Sequence, residues 1–500
     1  MFKFFKDNSL FYAQKCFIKS NEGEWTYNEV YKKACALSAH LFAAGVKKGD
    51  RVILFCGNSV QYVEGFFGIL GLRAIAVPVN PVKLAENIRY IVKKCTSSLV
   101  LYCNATADKA DKIFGILDIK KLNIDEIIDS EEIMDAACTK EPWDFDSGNP
   151  DDDALLLFTS GTTSQPKGVT LSHGNLLANT FAINDYLNLD SSDSILMTLP
   201  FSYSYGNSIL LTHAFVGATI IIENSSAYPS LVLEGIKKHR VTGFSTVGSY
   251  IHLMINYIKG LPTPVNYFES LKYITFAGES TDYDDIAYLT EQYPELKVYV
   301  MYGQTEASAR LSYLCPDLLS VKKGSVGKGL NNVELKVVNN EGDLVRPGEV
   351  GEILARGPSI MKGYWDDPIA TEQVLKDGWL HTGDSATIDE DGYIYIRGRM
   401  TDMIKFMGHR ISPLEVENVI NSSPFVKESA VVEGRKNGIP CIKAVLILEE
   451  GKCLTDAVKQ SINLALPNYM RPQIYEIAKS LPRTDNGKIK RSELRNICAQ

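Results

Sequence analysis

The chain has 500 residues, too many for one core, because single hydrophobic cores stop growing near about 250–300 residues; at least two domains are expected. With 45% hydrophobic, 10% aromatic and 22% charged residues, the composition is that of an ordinary globular protein and excludes a disordered, fibrous or disulfide-stapled one. The 52 Lys and Arg against 60 Asp and Glu leave a net charge of −8. That gives no general attraction to nucleic acid or anionic membrane, so any phosphate chemistry must rest on local groups.

The first residues, MFKFFKDNSL, hold no continuous apolar stretch, and the apolar run Gly65–Val82 is interrupted by Arg73 and Pro78. Neither a signal peptide nor a membrane span is expected. Short apolar runs then alternate with amphipathic ones: strand Arg51–Cys56, helix Ser59–Leu72, strand Ala74–Val79, helix Leu84–Lys94 and strand Ser98–Cys103. Such alternation predicts parallel sheet covered by helices. An acidic segment, Trp143–Asp153, reads as a loop leading into a buried strand, Leu155–Phe158. The pattern resumes with helix Asn175–Tyr186, strands Ser194–Leu199 and Ala218–Ile222, helix Ser230–His239, and strands Tyr273–Phe276 and Lys297–Met301. After about Gly324 the text changes to short β-type runs, Glu334–Val338, Gly351–Ala355 and Tyr393–Arg397.

Beyond Gly398 a last unit of helix Pro413–Asn421, strands Glu428–Glu433 and Lys443–Glu449, helix Thr455–Ala465 and a basic tail is expected. From Arg399 to Gln500 there are 16 Lys and Arg against 11 Asp and Glu, the reverse of the chain's overall balance, which marks a separate small domain. We therefore divide the chain into 1–398 and 399–500. Ten cysteines with no C-x-x-C pair suggest neither a zinc site nor a disulfide framework, but a reduced, cytoplasmic setting. The seven histidines form no metal or nucleophile–base motif, and His173 reads as part of a helix start capped by Ser172 or Asn175.

One segment stands out chemically: Thr159-Ser160-Gly161-Thr162-Thr163-Ser164-Gln165-Pro166-Lys167-Gly168, a strand end turning into a Gly- and hydroxyl-rich loop with one lysine. Backbone N–H groups freed by such a turn, with hydroxyls and an ammonium, can cradle polyphosphate, although the spacing is not that of a Walker A loop. Four more motifs follow in order: Tyr302-Gly303-Gln304-Thr305-Glu306, Gly378–Asp384 (GWLHTGD), Gly398–Lys405 (GRMTDMIK) and Leu481–Ile489 (LPRTDNGKI).

Together these five motifs resemble the adenylate-forming superfamily of acyl- and aryl-CoA synthetases, luciferases and peptide-synthetase adenylation domains, over nearly the whole chain. The resemblance implies an α/β fold. A large N-terminal domain of helix-covered mixed and parallel sheets with a small β part would hold ATP and acid, and a smaller mobile α+β C-terminal domain would carry a catalytic lysine. It implies that Thr159, Ser160, Gly161, Thr162, Thr163, Ser164 and Lys167 hold the ATP phosphates, with Ser164 standing where the family commonly has glycine. Gly278, Glu279, Ser280, Tyr302, Gly303, Gln304 and Thr305 complete the nucleotide side, with Tyr302 against adenine and Thr305 at the α-phosphate. Glu306 and Thr163 would serve Mg²⁺, Asp384 the ribose hydroxyls, and Arg399 the ribose or phosphate. Lys488 would stabilise the adenylation transition state, and Thr401 stands at the hinge position, where the family usually has Asp or Lys.

The implied activity is ATP-dependent conversion of a carboxylic acid to an acyl-adenylate with release of pyrophosphate, then transfer to a thiol. The implied cofactors are ATP, Mg²⁺ and CoA, with a holo acyl or peptidyl carrier protein as the alternative acceptor; a non-catalytic nucleotide-binding regulator is the third reading. Lys405, Gly408, His409 and Arg410 would form the thiol side. The acid pocket is assigned to Tyr203, Gly206, Asn207, Phe244, Thr246, Gly248 and Ala277. No Asp lies between Leu199 and Glu223 to hold an amino group, which argues against an α-amino-acid substrate.

Overall fold

The computed structural model describes residues 1–128, 148–159, 166–224, 227–279, 281–400, 402–406, 409–436, 439–483 and 489–495. Its described residues divide into two compact units, one within 1–159, 166–335 and 355–380, the other within 336–354 and 381–500.

The first unit is built on two sheets. The seven-stranded sheet runs in the order Gly363–Tyr364, Lys167–Ser172, Asp153–Thr159, Ile75–Pro78, Arg51–Phe55, Leu99–Tyr102 and Lys120–Asn123. The four strands from Ile75–Pro78 to Lys120–Asn123 pair in parallel, as the strand–helix alternation requires. The nine-stranded sheet has Ser194–Met197, Thr219–Ile222, Gly243–Thr246, Tyr273–Phe276 and Lys297–Tyr302 as its parallel centre. The hairpin Cys16–Ser20 and Gly23–Thr26 extends one edge, and Ser312–Leu314 with Lys328–Gly329 the other.

Apolar side chains of both sheets meet in one core. Val52, Leu54, Leu99 and Leu101 belong to the same buried cluster as Ile195, Met197, Ile220 and Ile222, with Leu37, Phe66 and Phe67 from helices Tyr27–Ala43 and Val60–Gly71. The opposite face of the seven-stranded sheet packs Ile53, Phe55, Ile75, Val77 and Val100 against Ile88, Ile91, Ile113 and Phe114 of helices Ala85–Lys94 and Ala107–Phe114.

The second unit contains the antiparallel strands Trp379–Ile388 (from His381 on) and Ile394–Arg399, the hairpin Ile404–Phe406 and His409–Ile411, and a three-stranded sheet of Val426–Lys436, Ile439–Leu448 and Ile474–Ile477. Helices Pro413–Asn421 and Asp456–Ala465 cover one face through Val416, Ile420, Val458 and Ile462. Leu481 and Leu494 cover the other. A buried ion pair ties the end of the chain to this core: Arg491 forks both oxygens of Glu417 at 2.7 and 2.8 Å, and Glu417 also accepts from Val431 N at 2.6 Å. Burial nevertheless pushes the Glu417 carboxyl upward, against the pull of Arg491.

Candidate active site

In the nine-stranded sheet the winding reverses at Ser194–Met197, with Thr219–Ile222 on one side and Gly243–Thr246 on the other. In open α/β sheets such a reversal leaves a crevice beyond the carboxyl ends of the strands, because the loops on either side turn away from each other. The loop ending at Tyr203, the start of helix Gly248–Lys259, Ala277–Glu279 and Gly303–Ala307 all leave from these ends.

Tyr203 is the N-cap of helix Ser204–Val216. Its hydroxyl accepts from Asn80 Nδ2 at 3.5 Å, and the ammonium of the buried Lys83 stands 5.9 Å from its ring centroid. Next to it, Ser204 Oγ lies 3.3 Å from Thr305 Oγ1. One contact thus joins the residue after the expected gate of the acid pocket to the expected α-phosphate residue. Gly206 and Asn207 are buried in the first turn of the helix. A Cβ at Gly206 would collide with the carbonyl oxygen of Pro200, so this glycine is needed for backbone approach and not for substrate room.

The turn after strand Lys297–Tyr302 is equally constrained. A Cβ at Gly303 would overlap the carbonyl oxygen of Ala309. Tyr302 is partly buried, and Gln304 Nε2 is a buried donor with no acceptor among the described residues. Glu306 is fixed by Tyr364, whose hydroxyl donates to Oε1 at 2.9 Å, while Lys167 Nζ sits 4.8 Å from the centre of the Tyr364 ring. The strand Gly363–Tyr364 pairs with Val169 and Thr170, directly after Lys167, which brings these three groups together. Thr159 ends its strand with Oγ1 3.5 Å from Lys167 O. Glu279 accepts from Ser249 N at 2.8 Å and from the Ser249 hydroxyl.

Mg²⁺ prefers oxygen ligands and keeps water and substrate phosphates in its shell. Glu306 fits that role: one carboxylate oxygen is held by Tyr364 and the other is left over, and among the described residues no group of three or more His, Cys, Asp or Glu forms a protein-only cage.

Within the second unit, Asp384 and Arg399 sit opposite each other in the register of strands Trp379–Ile388 and Ile394–Arg399, with Arg399 Nε 3.0 Å from Asp384 Oδ1. Arg399 also donates to Thr382 O at 3.0 Å, and Thr382 Oγ1 accepts from Asp384 N at 3.1 Å. Glu352 anchors the same turn, accepting from Gly383 N at 3.0 Å and lying 2.9 Å from His381 Nδ1.

Not every expected residue joins the group. Alternate residues on a strand face opposite sides. Ser245 shares the side of Thr275 and Tyr205, with Ser245 Oγ 2.7 Å and Tyr205 OH 2.8 Å from Thr275 Oγ1. Phe244 and Thr246 therefore point to the other side of the sheet, and both are buried there. Phe244, in the strand interior, lies on the face opposite Ser245 and Tyr205. Gly248 begins its helix and Ala277 follows its strand at the crevice end. Ser160, Gly161, Thr162, Thr163, Ser164, Ser280, Thr401, Gly408 and Lys488 lie outside the described residues, as do residues 143–147 of the loop expected at Trp143–Asp153. Of Lys405, His409 and Arg410 only the backbone is described, in one antiparallel hairpin where Lys405 pairs with Arg410. The flanks of Lys488 are fixed: Arg483 bridges Ile489, and Lys490 N donates to Pro482 O at 2.8 Å. His173 starts helix His173–Leu187, where Ser172 and Asn175 form a reciprocal capping box.

Sequence reasoning missed Tyr364, Glu352, Asn80 and Lys83. Each acts through a partner dozens of residues away, or in a short element without periodicity, so no local pattern marks it.

The family model for the AMP-binding enzyme matches residues 5–365, and that for the AMP-binding enzyme C-terminal domain matches residues 415–488. A feruloyl-CoA synthase from an Amycolatopsis species is 31% identical over 480 residues, covering 94% of this chain and 93% of the relative. The oxalate–CoA ligase of Arabidopsis thaliana is 30% identical over 466 residues, covering 90% and 88%. Among solved structures, the o-succinylbenzoate CoA synthetase of Bacillus subtilis, in complex with its acyl-adenylate intermediate, matches with a TM-score of 0.88 at 25% identity, over 99% of this chain and 98% of that one. The chain belongs to the AMP-binding enzyme family, and it is an ATP-dependent, AMP-forming acid–thiol ligase.

Proposed function

We propose that this ligase activates a carboxylic acid other than an α-amino acid at the crevice beside Tyr203 and Thr305, and passes the acyl group to CoA. The observation that carries the reading is the 3.3 Å approach of Ser204 to Thr305, because adenylation requires the acid and the α-phosphate in one place. The named relatives, a feruloyl-CoA synthase and an oxalate–CoA ligase, support CoA as acceptor.

In the first half-reaction a carboxylate oxygen attacks the α-phosphorus in line; the new O–P bond forms as the bond to the β-phosphate oxygen breaks and pyrophosphate leaves. Lys167 and the loop Thr159–Gly168 hold the departing phosphates, Thr305 the α-phosphate, Tyr302 the adenine, and Asp384 with Arg399 the ribose. Mg²⁺, when bound through Glu306 and the nucleotide, neutralises phosphate charge. Lys488 brings an ammonium to the two converging anions, where each charge pair at about 4 Å is worth on the order of 4 kcal/mol at an effective dielectric near 20. In the second half-reaction the CoA thiolate attacks the acyl carbonyl and AMP leaves. Residues 399–500 turn about Thr401 between the two steps, exchanging Lys488 for the face of Lys405, Gly408, His409 and Arg410.

ATP–pyrophosphate exchange over a panel of aryl, fatty, dicarboxylic and amino acids tests adenylation, and thioester formation with CoA or a holo carrier protein tests the acceptor. Exchange with a non-amino acid and thioester with free CoA are expected. Exchange confined to amino acids, or thioester formed only on the carrier, would overturn the reading.

A further inference from the structure

Arg310 follows the Tyr302–Glu306 motif by four residues and is only 3% exposed. A guanidinium stays protonated when buried and offers five N–H donors. The described residues give it little in return. One terminal nitrogen donates to Tyr186 OH at 2.6 Å, the Tyr205 hydroxyl is a second, neutral partner with its ring 5.1 Å from the central carbon, and Nε is a buried donor without an acceptor. No carboxylate of the described residues pairs with it. Burying a charge unpaired is costly, so a cation left this way calls for an anion that arrives later.

Its place says which anion. Tyr205 is the neighbour of Ser204, which touches Thr305, and the Tyr205 hydroxyl reaches Thr275 Oγ1 at 2.8 Å. An acid whose reacting carboxylate lies at Thr305 would run its tail along the start of helix Ser204–Val216 toward Arg310. We propose, resting on the ligase reading above, that Arg310 is a specificity-determining residue of the acid pocket and that the substrate is an acid carrying a second carboxylate at the end remote from the reacting one. The planar guanidinium pairs with a carboxylate through two parallel hydrogen bonds, whereas an acid ending in a methyl or a bare ring leaves the cation buried and unpaired. Sites built to hydrogen-bond a substrate group discriminate strongly against analogues lacking it.

The test is ATP–pyrophosphate exchange with matched pairs, benzoate against terephthalate, cinnamate against 4-carboxycinnamate, and hexanoate against adipate. The natural sequence is expected to favour the dicarboxylic member of at least one pair by about 100-fold or more in kcat/KM. Arg310→Met should collapse that ratio and Arg310→Lys restore part of it, the charge being kept and the fork lost. Preference for the monoacid in every pair, or an unchanged ratio in a folded Arg310→Met protein, overturns the proposal while leaving the ligase reading intact. Should Arg310→Met fail to fold, the ratio in the natural sequence and in Arg310→Lys still decides. Exchange with no acid at all overturns both.

Discussion

The Glu306 backbone carbonyl accepts from Met361 N at 2.8 Å, and its carboxylate is oriented by the phenol of Tyr364. Tyr364 donates to it from a two-residue strand, and the same ring lies beneath Lys167, so one side chain orients both the metal-side carboxylate and the phosphate-side ammonium. Tyr364→Phe keeps the ring and removes only the donor. A hydrogen bond to a charged group contributes about 1.5–3 kcal/mol, reduced by solvent at a partly exposed carboxylate, so kcat/KM for MgATP should fall about 10-fold. Exchange rates at varied MgATP would measure this, and a loss under twofold would mean that Glu306 is held by other contacts. Asp384 belongs to the same argument: with Arg399 as its partner in the second unit, Asp384→Asn keeps the shape but gives up the acceptor for ribose hydroxyls and the ion pair. We expect a raised KM for ATP with a smaller effect on the acid, read from initial rates with each substrate varied in turn.

Helix Ser204–Val216 carries several functions in four turns, with Tyr203 at its cap, Ser204 at Thr305, Tyr205 under Arg310, and His213 in the interior with Nδ1 2.9 Å from Ile209 O and Nε2 3.2 Å from Tyr273 OH. Burial pushes the His213 imidazole down to about 4 from an ordinary 6.5. Between those values the unfolded chain binds a proton that the folded chain refuses, so stability present at neutral pH is lost as pH falls from about 6.5 to about 4. Each pH unit in that window removes at most roughly 1.4 kcal/mol for one such histidine. Urea unfolding at pH 7.5 and 5.5 should show the loss, and His213→Gln should flatten it; equal slopes in the two proteins would assign the acid sensitivity elsewhere.

This helix also marks the limit of what sequence reveals. The strand expected at Arg51–Cys56 is found at Arg51–Phe55, because a buried parallel strand writes itself as an apolar run. The five motifs made the family legible because each is contiguous. By contrast, Ser204–Val216 is buried over most of its length and shows no polar stripe, so its helical period is silent. The hairpin Cys16–Thr26, paired to Thr219–Ile222, was invisible for a related reason: strands of four or five residues carry too little alternation, and their partner lies about 200 residues away. Phe244 and Ser245 differ by one register step, which on a strand sends a side chain to the opposite face.

At the scale of the whole molecule, the two half-reactions make incompatible demands on one crevice. On the proposed mechanism, adenylation takes the Lys488 ammonium beside the α-phosphate and thiol transfer takes that space for pantetheine. Within the second unit the two candidate faces are on separate pieces of structure. The flanks of Lys488 are held through Leu481, Ile489 and the Arg491–Glu417 pair, whereas Lys405 and Arg410 belong to the hairpin Ile404–Ile411. On the proposed turn of residues 399–500 about Thr401 one face replaces the other, so variants should separate the steps. Lys488→Ala should lower ATP–pyrophosphate exchange by about 10²–10³-fold, the cost of removing one preorganised electrostatic donor, while thioester formation from supplied acyl-adenylate and CoA stays within a few-fold. Gly408→Leu, which adds bulk at the residue proposed to face pantetheine, should do the reverse and spare exchange while slowing transfer. Single-turnover rates for each half-reaction in both variants give four numbers. Opposite biases support rotation about Thr401, and parallel losses in either variant would mean that one arrangement of residues 399–500 serves both steps.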